Sequence, residues 1–102
     1  MTSRDTVMAT ALSLSTRVKI PDNVLFRDLQ GELVVLEVNR GFYFGLDAIG
    51  TRIWHLLREQ RSLQQVVAIL VEEYEVAEEP AAEDLLAFVR QLREHGLLEI
   101  CA

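Results

Sequence analysis

Apolar and polar residues alternate along the chain from Asn23 to Leu46, and this period of two is typical of half-buried β-strands. Turn residues divide the segment into three predicted strands: Val24–Arg27, Leu33–Val38 and Phe42–Leu46. Gln30-Gly31 supplies the first turn, and Asn39-Arg40-Gly41 supplies a three-residue second turn whose glycine can adopt the left-handed conformation. These short connections predict a three-stranded antiparallel meander.

After the third strand, apolar residues recur at spacings of three and four, which indicates amphipathic helices. Asp47 can cap a first helix, and Ser62-Leu63-Gln64-Gln65 matches a capping box that opens a second. A third helix has Pro80 in its first turn and ends before Gly96, a residue type that commonly follows a helix C-terminus. The apolar positions of this third helix are Leu85, Leu86, Phe88, Val89 and Leu92.

The order of elements sets the fold class. Three strands followed by three helices predict an α+β domain of winged helix-turn-helix-like outline, with the helices covering one face of a sheet too small to be stable alone. We expect residues 1–20 to form a flexible N-terminal arm and residues 21–102 to form the domain. Within that domain, Leu97–Ile100 is expected to be a brief final strand or a tail packed on the core.

Length and composition limit the size of the core and the cellular location that can be expected. The chain has 102 residues, half of them apolar, which suffices for one small core. No apolar run approaches the roughly 18 residues that span a bilayer, and the N-terminus lacks the basic start and unbroken apolar stretch of a secretory signal. Cys101 is the sole cysteine and cannot form an internal disulfide. We therefore expect a reduced, cytoplasmic location without membrane contact.

Charge is distributed unevenly along the chain. Residues 1–61 carry eight Arg or Lys and seven Asp or Glu, whereas residues 62–102 carry two and nine. The acidic C-terminal half, which is predicted to be helical, repels phosphate backbones. The second helix also has no cation between Leu63 and Tyr74 that could contact bases in a DNA groove. We therefore expect no nucleic-acid partner. The alternative, a winged-helix DNA-binding regulator, predicts salt-sensitive retention on duplex DNA.

The sequence contains no recognisable catalytic or metal-binding arrangement. His55 and His95 have no Cys, Ser or carboxylate at a spacing that indicates a triad, and His95 suits the last turn of a helix because its charge complements the helix dipole. One Cys and two His without paired spacing do not make a zinc site, and the five glycines are too scattered for a phosphate loop. We expect no enzymatic activity, no metal and no cofactor. The carboxylates between Glu72 and Asp84 are typical of a solvated face.

The third predicted strand has the clearest functional implication. In a meander it lies at an edge, where backbone N–H and C=O groups are unpaired, and it lacks the charges and prolines that usually protect such edges. Alternation directs Phe42, Phe44 and Leu46 towards the core and Tyr43 and Gly45 away from it. An extended peptide could add here as a further strand. Alternatively, the chain's own helices or a second copy in a structural homodimer could cover the edge.

Three segments of the chain resemble the PqqD-like family: GFYFGLDAIGTRIWHLL, SLQQVVAILVEEYEV and DLLAFVRQLREHGLL. The resemblance covers about Pro21 to Ile100. Its most specific part is the aromatic strand together with Leu46, Gly50 and Ile53-Trp54, supported by Glu73-Tyr74 and Gly96-Leu97-Leu98.

This resemblance implies a recognition element that binds the leader segment of a ribosomally made precursor peptide. In the family, the leader lies antiparallel along the third strand, between that strand and the third helix. The domain then presents the precursor to a processing enzyme, which is a leader peptidase in lasso-peptide systems and a radical enzyme, cyclodehydratase or dehydratase in others. Here the enzyme is expected to be a separate protein. The implied peptide-binding residues are Phe42, Tyr43, Phe44, Gly45, Leu46, Leu85, Phe88, Val89 and Leu92, and the guanidinium groups of Arg90 and Arg93 could meet acidic leader residues.

Overall fold

The computed structural model describes residues 13–59 and 61–101. The elements in this part of the chain are β1 (Val18–Lys19), β2 (Val24–Leu29), β3 (Glu32–Glu37), β4 (Phe42–Leu46), α1 (Ala48–Arg58), α2 (Leu63–Tyr74), α3 (Glu78–Glu94) and β5 (Glu99–Ile100). The strands β2, β3 and β4 form an antiparallel sheet in that order, and β1 pairs with β5. The predicted α+β fold, a three-stranded antiparallel sheet followed by three helices, is confirmed.

The first hairpin follows the predicted turn. Gln30 and Gly31 both have positive φ, 56° and 89°, and they connect β2 to β3 with Leu29 opposite Glu32. Two left-handed residues give a turn whose twist matches that of the flanking strands. The turn therefore sets the register between β2 and β3, which determines the side chains that face the helices.

The second hairpin turn is one residue longer than predicted because of a buried carboxylate. Glu37 pairs with Phe42, so residues 38–41 form the connection, and the side chain of Glu37 is only 3 % exposed. Its carboxylate accepts hydrogen bonds from the backbone N–H of Arg40 at 2.7 Å and of Asn39 at 3.3 Å, and from the Asn23 side chain. Burial raises the pKa of Glu37, but these hydrogen bonds and the Arg40 charge outweigh it, so the pKa is lowered overall.

The helix ends also follow the predicted capping. The Asp47 carboxylate accepts a hydrogen bond from Gly50 N at 2.8 Å. At the start of α2, Ser62 Oγ accepts from Gln65 N at 3.3 Å, and the Gln65 side chain accepts from Ser62 N at 2.9 Å. Gly96, with φ of 77°, follows the end of α3. These caps fix where each helix starts or stops relative to the sheet.

The core lies between the inner face of the sheet and the helices. Trp54 of α1 is fully buried, and its ring meets Phe26 of β2 edge-on with 5.6 Å between centroids. The other large, fully buried side chains include Leu33, Leu56, Leu57, Leu63, Leu85, Leu92 and Leu97. None of the described helices is both long and apolar enough to cross a membrane.

Part of the predicted N-terminal arm belongs to the packed domain. Val18 of β1 is 1 % exposed and pairs with Ile100, and Leu63 N donates to Thr16 O at 2.9 Å. These contacts join residues 16 and 18, within the predicted arm, to elements of the predicted domain. The final strand expected near the C-terminus is β5, the partner of β1. The rest of the predicted arm, residues 1–12, lies outside the described residues.

Candidate functional site

The outer edge of β4 carries no strand from the described part of the chain. In the order β2-β3-β4, β3 occupies one edge of β4, and β1 and β5 form a separate sheet. The sequence of β4, Phe-Tyr-Phe-Gly-Leu, contains no proline or charged residue. Its outward backbone groups can therefore pair with an added strand.

A depression of about 220 Å³ lies between this edge and α3. On the strand side it is lined by Phe44, Gly45, Leu46 and Asp47, and on the helix side by Phe88, Gln91 and Leu92. Five of the seven lining residues are apolar or glycine, and the other two carry a carboxylate and an amide. Such a surface favours an apolar side chain that enters from a neighbouring extended segment.

A second depression, of about 380 Å³, opens at the N-terminal half of α3, where α1 and α2 meet it. Its lining is Ile49, Gly50, Ile53, Leu70, Tyr74, Val76, Ala81, Asp84 and Leu85, together with Asp47 and Phe88. Because Asp47 and Phe88 line both depressions, the two adjoin along α3. We call them together the α3 groove.

Gly50 permits a close approach between the elements around the groove. A Cβ added at this position would lie 3.2 Å from Oδ1 of Asp47, 3.4 Å from Cβ of Leu46 and 3.5 Å from Cζ of Phe88. The first turn of α1 thus packs directly against the end of β4 and the ring that separates the two depressions. A side chain here would be tight against the Asp47 carboxylate and in contact with Phe88.

An aromatic cluster joins β4 to the C-terminal end of α3. The rings of Phe42 and Phe44 are 5.5 Å apart, and His95 lies edge-on to Phe44 at 4.7 Å between centroids. Nδ1 of His95 is 2.9 Å from Gln91 O and donates to it, while Arg40 Nη2 donates to His95 O at 2.5 Å. The cluster holds the two walls of the α3 groove at a fixed spacing at this end.

A comparison with protein-family models identifies the family of this chain. The family described as Coenzyme PQQ synthesis protein D (PqqD) matches residues 32–98, which is well over half of the chain. The chain belongs to the PqqD family. Within this PqqD-family chain, the matched segment contains both β4 and α3, the two walls of the α3 groove. A search of curated proteins gives no match.

Two solved structures resemble this PqqD-family chain over most of its length. The first, TbiB1 in complex with the TbiA(beta) leader peptide, has 41 % identity and a TM-score of 0.77, and the match covers 79 % of this chain and 94 % of that one. The second, lasso peptide synthetase B1 complexed with the leader peptide, has 25 % identity and a TM-score of 0.77, with coverage of 81 % and 98 %.

The structure brings part of the predicted peptide-binding set together. Five of the predicted residues line the first depression: Phe44, Gly45, Leu46, Phe88 and Leu92. Leu85 lines the second depression, although it is itself only 1 % exposed. Phe42 belongs to the aromatic cluster at the end of the groove.

Other predicted residues lie elsewhere. Val89 is fully buried, so its side chain belongs to the core and not to the wall of the groove. Tyr43 is 72 % exposed on the opposite face of the sheet. Arg90 and Arg93 are exposed on α3 but line neither depression.

Two residues that line the first depression were not predicted as peptide-binding residues from the sequence. Asp47 was predicted only as a helix cap, yet it lines both depressions. Gln91 lies three residues after Phe88 and four before His95, and this spacing places the three residues on one face of α3. The helical spacing from Phe88 is the signal that could have found Gln91.

Two pairs of titratable side chains outside the α3 groove link separate elements of the domain. His55 Nε2 lies 3.2 Å from Asp28 Oδ2. Arg52 makes a two-point contact with Glu73, at 3.0 Å and 2.5 Å, and these hydrogen bonds lower the pKa of Glu73. In the part of the chain that the structure describes, no three His, Cys, Asp or Glu side chains come together as a metal site.

Proposed function

We propose that this PqqD-family chain is a non-catalytic recognition protein for the leader segment of a ribosomally made precursor peptide. The leader adds to the outer edge of β4 as an antiparallel strand and places apolar side chains in the α3 groove. The observation that carries the proposal is the unpaired edge of β4 directly beside an apolar groove. Support comes from the two similar solved structures, each of which is a complex with a leader peptide.

The energetics of strand addition explain why an apolar groove is needed. About five backbone hydrogen bonds of roughly 1 kcal/mol each would only about offset the ordering of a flexible peptide. Affinity must then come from side chains. Two apolar side chains buried at roughly 1.5–3 kcal/mol each would bring binding towards the micromolar range or better. The α3 groove offers one depression for each of two such anchors.

The bound precursor is presented to a separate maturation enzyme, which performs the chemistry. One of the similar structures is a lasso peptide synthetase B1, and this favours lasso-peptide maturation with a leader peptidase as the enzyme. A radical enzyme is the alternative for other classes of peptide. In either case the role proposed for the chain is binding and orientation of the precursor.

Titration with a fluorescently labelled leader peptide, encoded by the neighbouring precursor gene, tests the proposal. Fluorescence anisotropy should show saturable binding with a dissociation constant in the micromolar range or below. A peptide of the same composition in scrambled order serves as the control. Absence of binding up to high micromolar concentration, with circular dichroism showing a folded protein, would contradict the proposed function.

A further inference from the structure

We propose that Gly45 of β4 determines specificity for the leader, because the space left by its missing side chain receives one aromatic leader side chain. The inference rests on the proposed function and deepens it by naming the chemistry of one leader residue. Gly45 borders the first depression with its backbone, whereas the space discussed here lies on the opposite face of the sheet, on the same side as Tyr43.

Neither backbone conformation nor packing requires a glycine at position 45. Its φ lies outside the left-handed region that Gly31, Gly41 and Gly96 adopt. A Cβ added there would meet no atom within 4 Å. Glycine inside a strand weakens that strand, because it offers no side chain to pack and loses more conformational entropy on folding. An otherwise unexplained glycine of this kind is typical of a position where a ligand approaches the backbone closely.

The space above Gly45 is bounded on two sides. Gly45 is opposite Val34 of β3 in the register, and Tyr43, the preceding residue on the same face, is 72 % exposed. Val34 is half-buried and borders a depression of about 290 Å³ between β2 and β3. The space thus has the Gly45 backbone as its floor, Val34 as its back wall and Tyr43 at one side. We call it the Gly45 notch.

Strand addition to β4 places one leader residue directly opposite Gly45. Residues directly opposite each other in an antiparallel pair project to the same face, so the side chain of this leader residue lies at the notch. Neighbouring strands are about 4.8 Å apart, which puts the Val34 backbone about 10 Å from the leader backbone. A long side chain can cross that distance over Gly45 and contact Val34, whereas alanine or valine is too short.

An aromatic ring suits the notch better than other long side chains. Its flat surface covers the bare backbone of a glycine, as aromatic residues do when they compensate for glycines in edge strands. It also loses less rotamer freedom than methionine, lysine or arginine. The Tyr43 ring can meet it edge-on, an arrangement that aromatic pairs prefer. None of the three notch residues is charged, so a charged leader side chain would find no partner among them.

The notch predicts that one substitution has opposite effects on folding and on binding. Gly45→Val adds a β-branched side chain to open space, so the melting temperature should rise by about 3–6 °C. The same side chain fills the notch and excludes the leader ring, so leader affinity should fall about tenfold or more. Gly45→Ala fills less of the notch and should weaken binding about threefold.

Arg27→Val is the matched control. Arg27, Val34 and Gly45 form one row across the sheet, so this variant introduces the same side chain on the same face but on β2, away from the edge that the leader joins. Its leader affinity should stay within about twofold of wild type.

The test is an alanine scan of the labelled leader peptide encoded by the neighbouring precursor gene. Anisotropy measures each peptide against the wild-type, Gly45→Val and Arg27→Val proteins. Alanine in place of one aromatic leader residue should weaken binding to wild type and to Arg27→Val about tenfold, but to Gly45→Val less than about twofold, because the ring is already excluded there. At every other leader position the loss should be the same in all three proteins.

Three results would overturn the notch while leaving the proposed function intact. The first is leader affinity unchanged in both folded Gly45 variants. The second is weaker binding by Gly45→Val with every aromatic leader residue still contributing fully, since the added side chain would then disturb strand pairing alone. The third is a melting temperature of Gly45→Val below that of wild type, which would contradict the open space at this position. Absence of leader binding by the wild-type protein would instead contradict the proposed function, and the notch with it.

Discussion

Phe88 is the side chain on which the shape of the α3 groove depends most, because it lines both depressions. Its ring is half-buried, so truncation removes groove surface without emptying a fully buried core position. We expect Phe88→Ala to weaken leader binding roughly 5- to 30-fold, which corresponds to about 1–2 kcal/mol of lost apolar contact. Anisotropy titration below the melting temperatures of both proteins measures the change.

Leu86→Ala is the matched control for this truncation. Leu86 is half-buried on the same helix but lines neither depression. Its truncation should lower the melting temperature while leaving leader affinity within about twofold of wild type. Equal losses of affinity in the two variants would show that helix packing, and not the surface of the groove, determines binding.

Glu37 links the stability of the second hairpin to pH. Its lowered pKa means that the folded state favours the carboxylate, so its stabilising contribution is present above the ordinary pKa of glutamate and is lost as the pH falls through the lowered pKa. In Glu37→Gln, an amide N–H₂ replaces one acceptor oxygen and faces either the donors of Asn23 and Asn39 or the backbone N–H of Arg40. We expect the variant to be less stable than wild type at neutral pH.

Urea denaturation of Glu37→Gln and wild type across the acidic range measures this effect. The difference in free energy of unfolding should be largest near neutrality and should shrink as Glu37 becomes protonated, because the acid and the amide are then similar in shape and charge. A difference that stays constant from neutral to acidic pH would contradict the role assigned to the carboxylate.

At the scale of elements, the local signals in the sequence predicted most of the fold. The Gln30-Gly31 turn, the Asp47 cap and the Ser62 capping box depend on residues within a few positions of each other, so a pattern can find them. The limits of β4 were predicted to the residue. Its free edge followed from strand order, since in a meander only the middle strand is covered on both sides.

Features that depend on long-range contacts could not be predicted in the same way. The hydrogen bond from Asn23 to Glu37 spans 14 residues, and the pairing of Val18 with Ile100 joins the two ends of the domain. Phe88 and Val89 are adjacent apolar residues on α3, and periodicity alone does not tell which one faces the groove. The packing of α3, which is chiefly against α2, decides this, and Val89 is the buried one of the two.

Strand addition to β4 predicts a two-residue pattern along the leader. Only every second N–H of an antiparallel guest strand points to its partner, while the others point to solvent. Single N-methylation of successive leader residues should therefore weaken binding alternately, by about tenfold where a hydrogen bond is lost and the methyl group meets β4, and by less than about threefold elsewhere. Anisotropy titrations of the methylated set measure the pattern.

A leader that bound as a helix would give a different result. Methylation would then disrupt the guest's own hydrogen bonds throughout its middle, and the affinity losses would show no two-residue period. If the affinities of the methylated leaders showed no alternation, strand addition would be excluded, while the α3 groove could still be the binding surface.

At the scale of the whole molecule, the α3 groove and the depression between β2 and β3 lie on different sides of one small sheet. The α3 groove lies between the β4 edge and the helices, whereas the lining of the other depression includes no residue of a described helix. A strand added to β4 would border both sides of the sheet, because its side chains point alternately to the two faces.

The net charge of the molecule and the charges around the groove favour peptide binding over nucleic-acid binding. The chain has a formal net charge of −6, and the α3 groove has Asp47 and Asp84 at its rim with no cation in its lining. Leader binding should therefore depend on apolar contact and backbone pairing, both of which are little screened by salt. We expect the dissociation constant to change less than about threefold between about 50 mM and about 500 mM NaCl.

Duplex DNA supplies the comparison for this salt series. A DNA-binding winged helix that neutralised four phosphates would lose more than a thousandfold in affinity over the same tenfold range of salt, since each contact contributes a slope of roughly −0.9. We expect no retention on DNA at either concentration. If leader binding weakened tenfold or more in high salt, Arg90 and Arg93, and not the groove, would supply much of the binding energy. Salt-independent binding by the double variant Arg90→Gln, Arg93→Gln would then identify these two residues as the source.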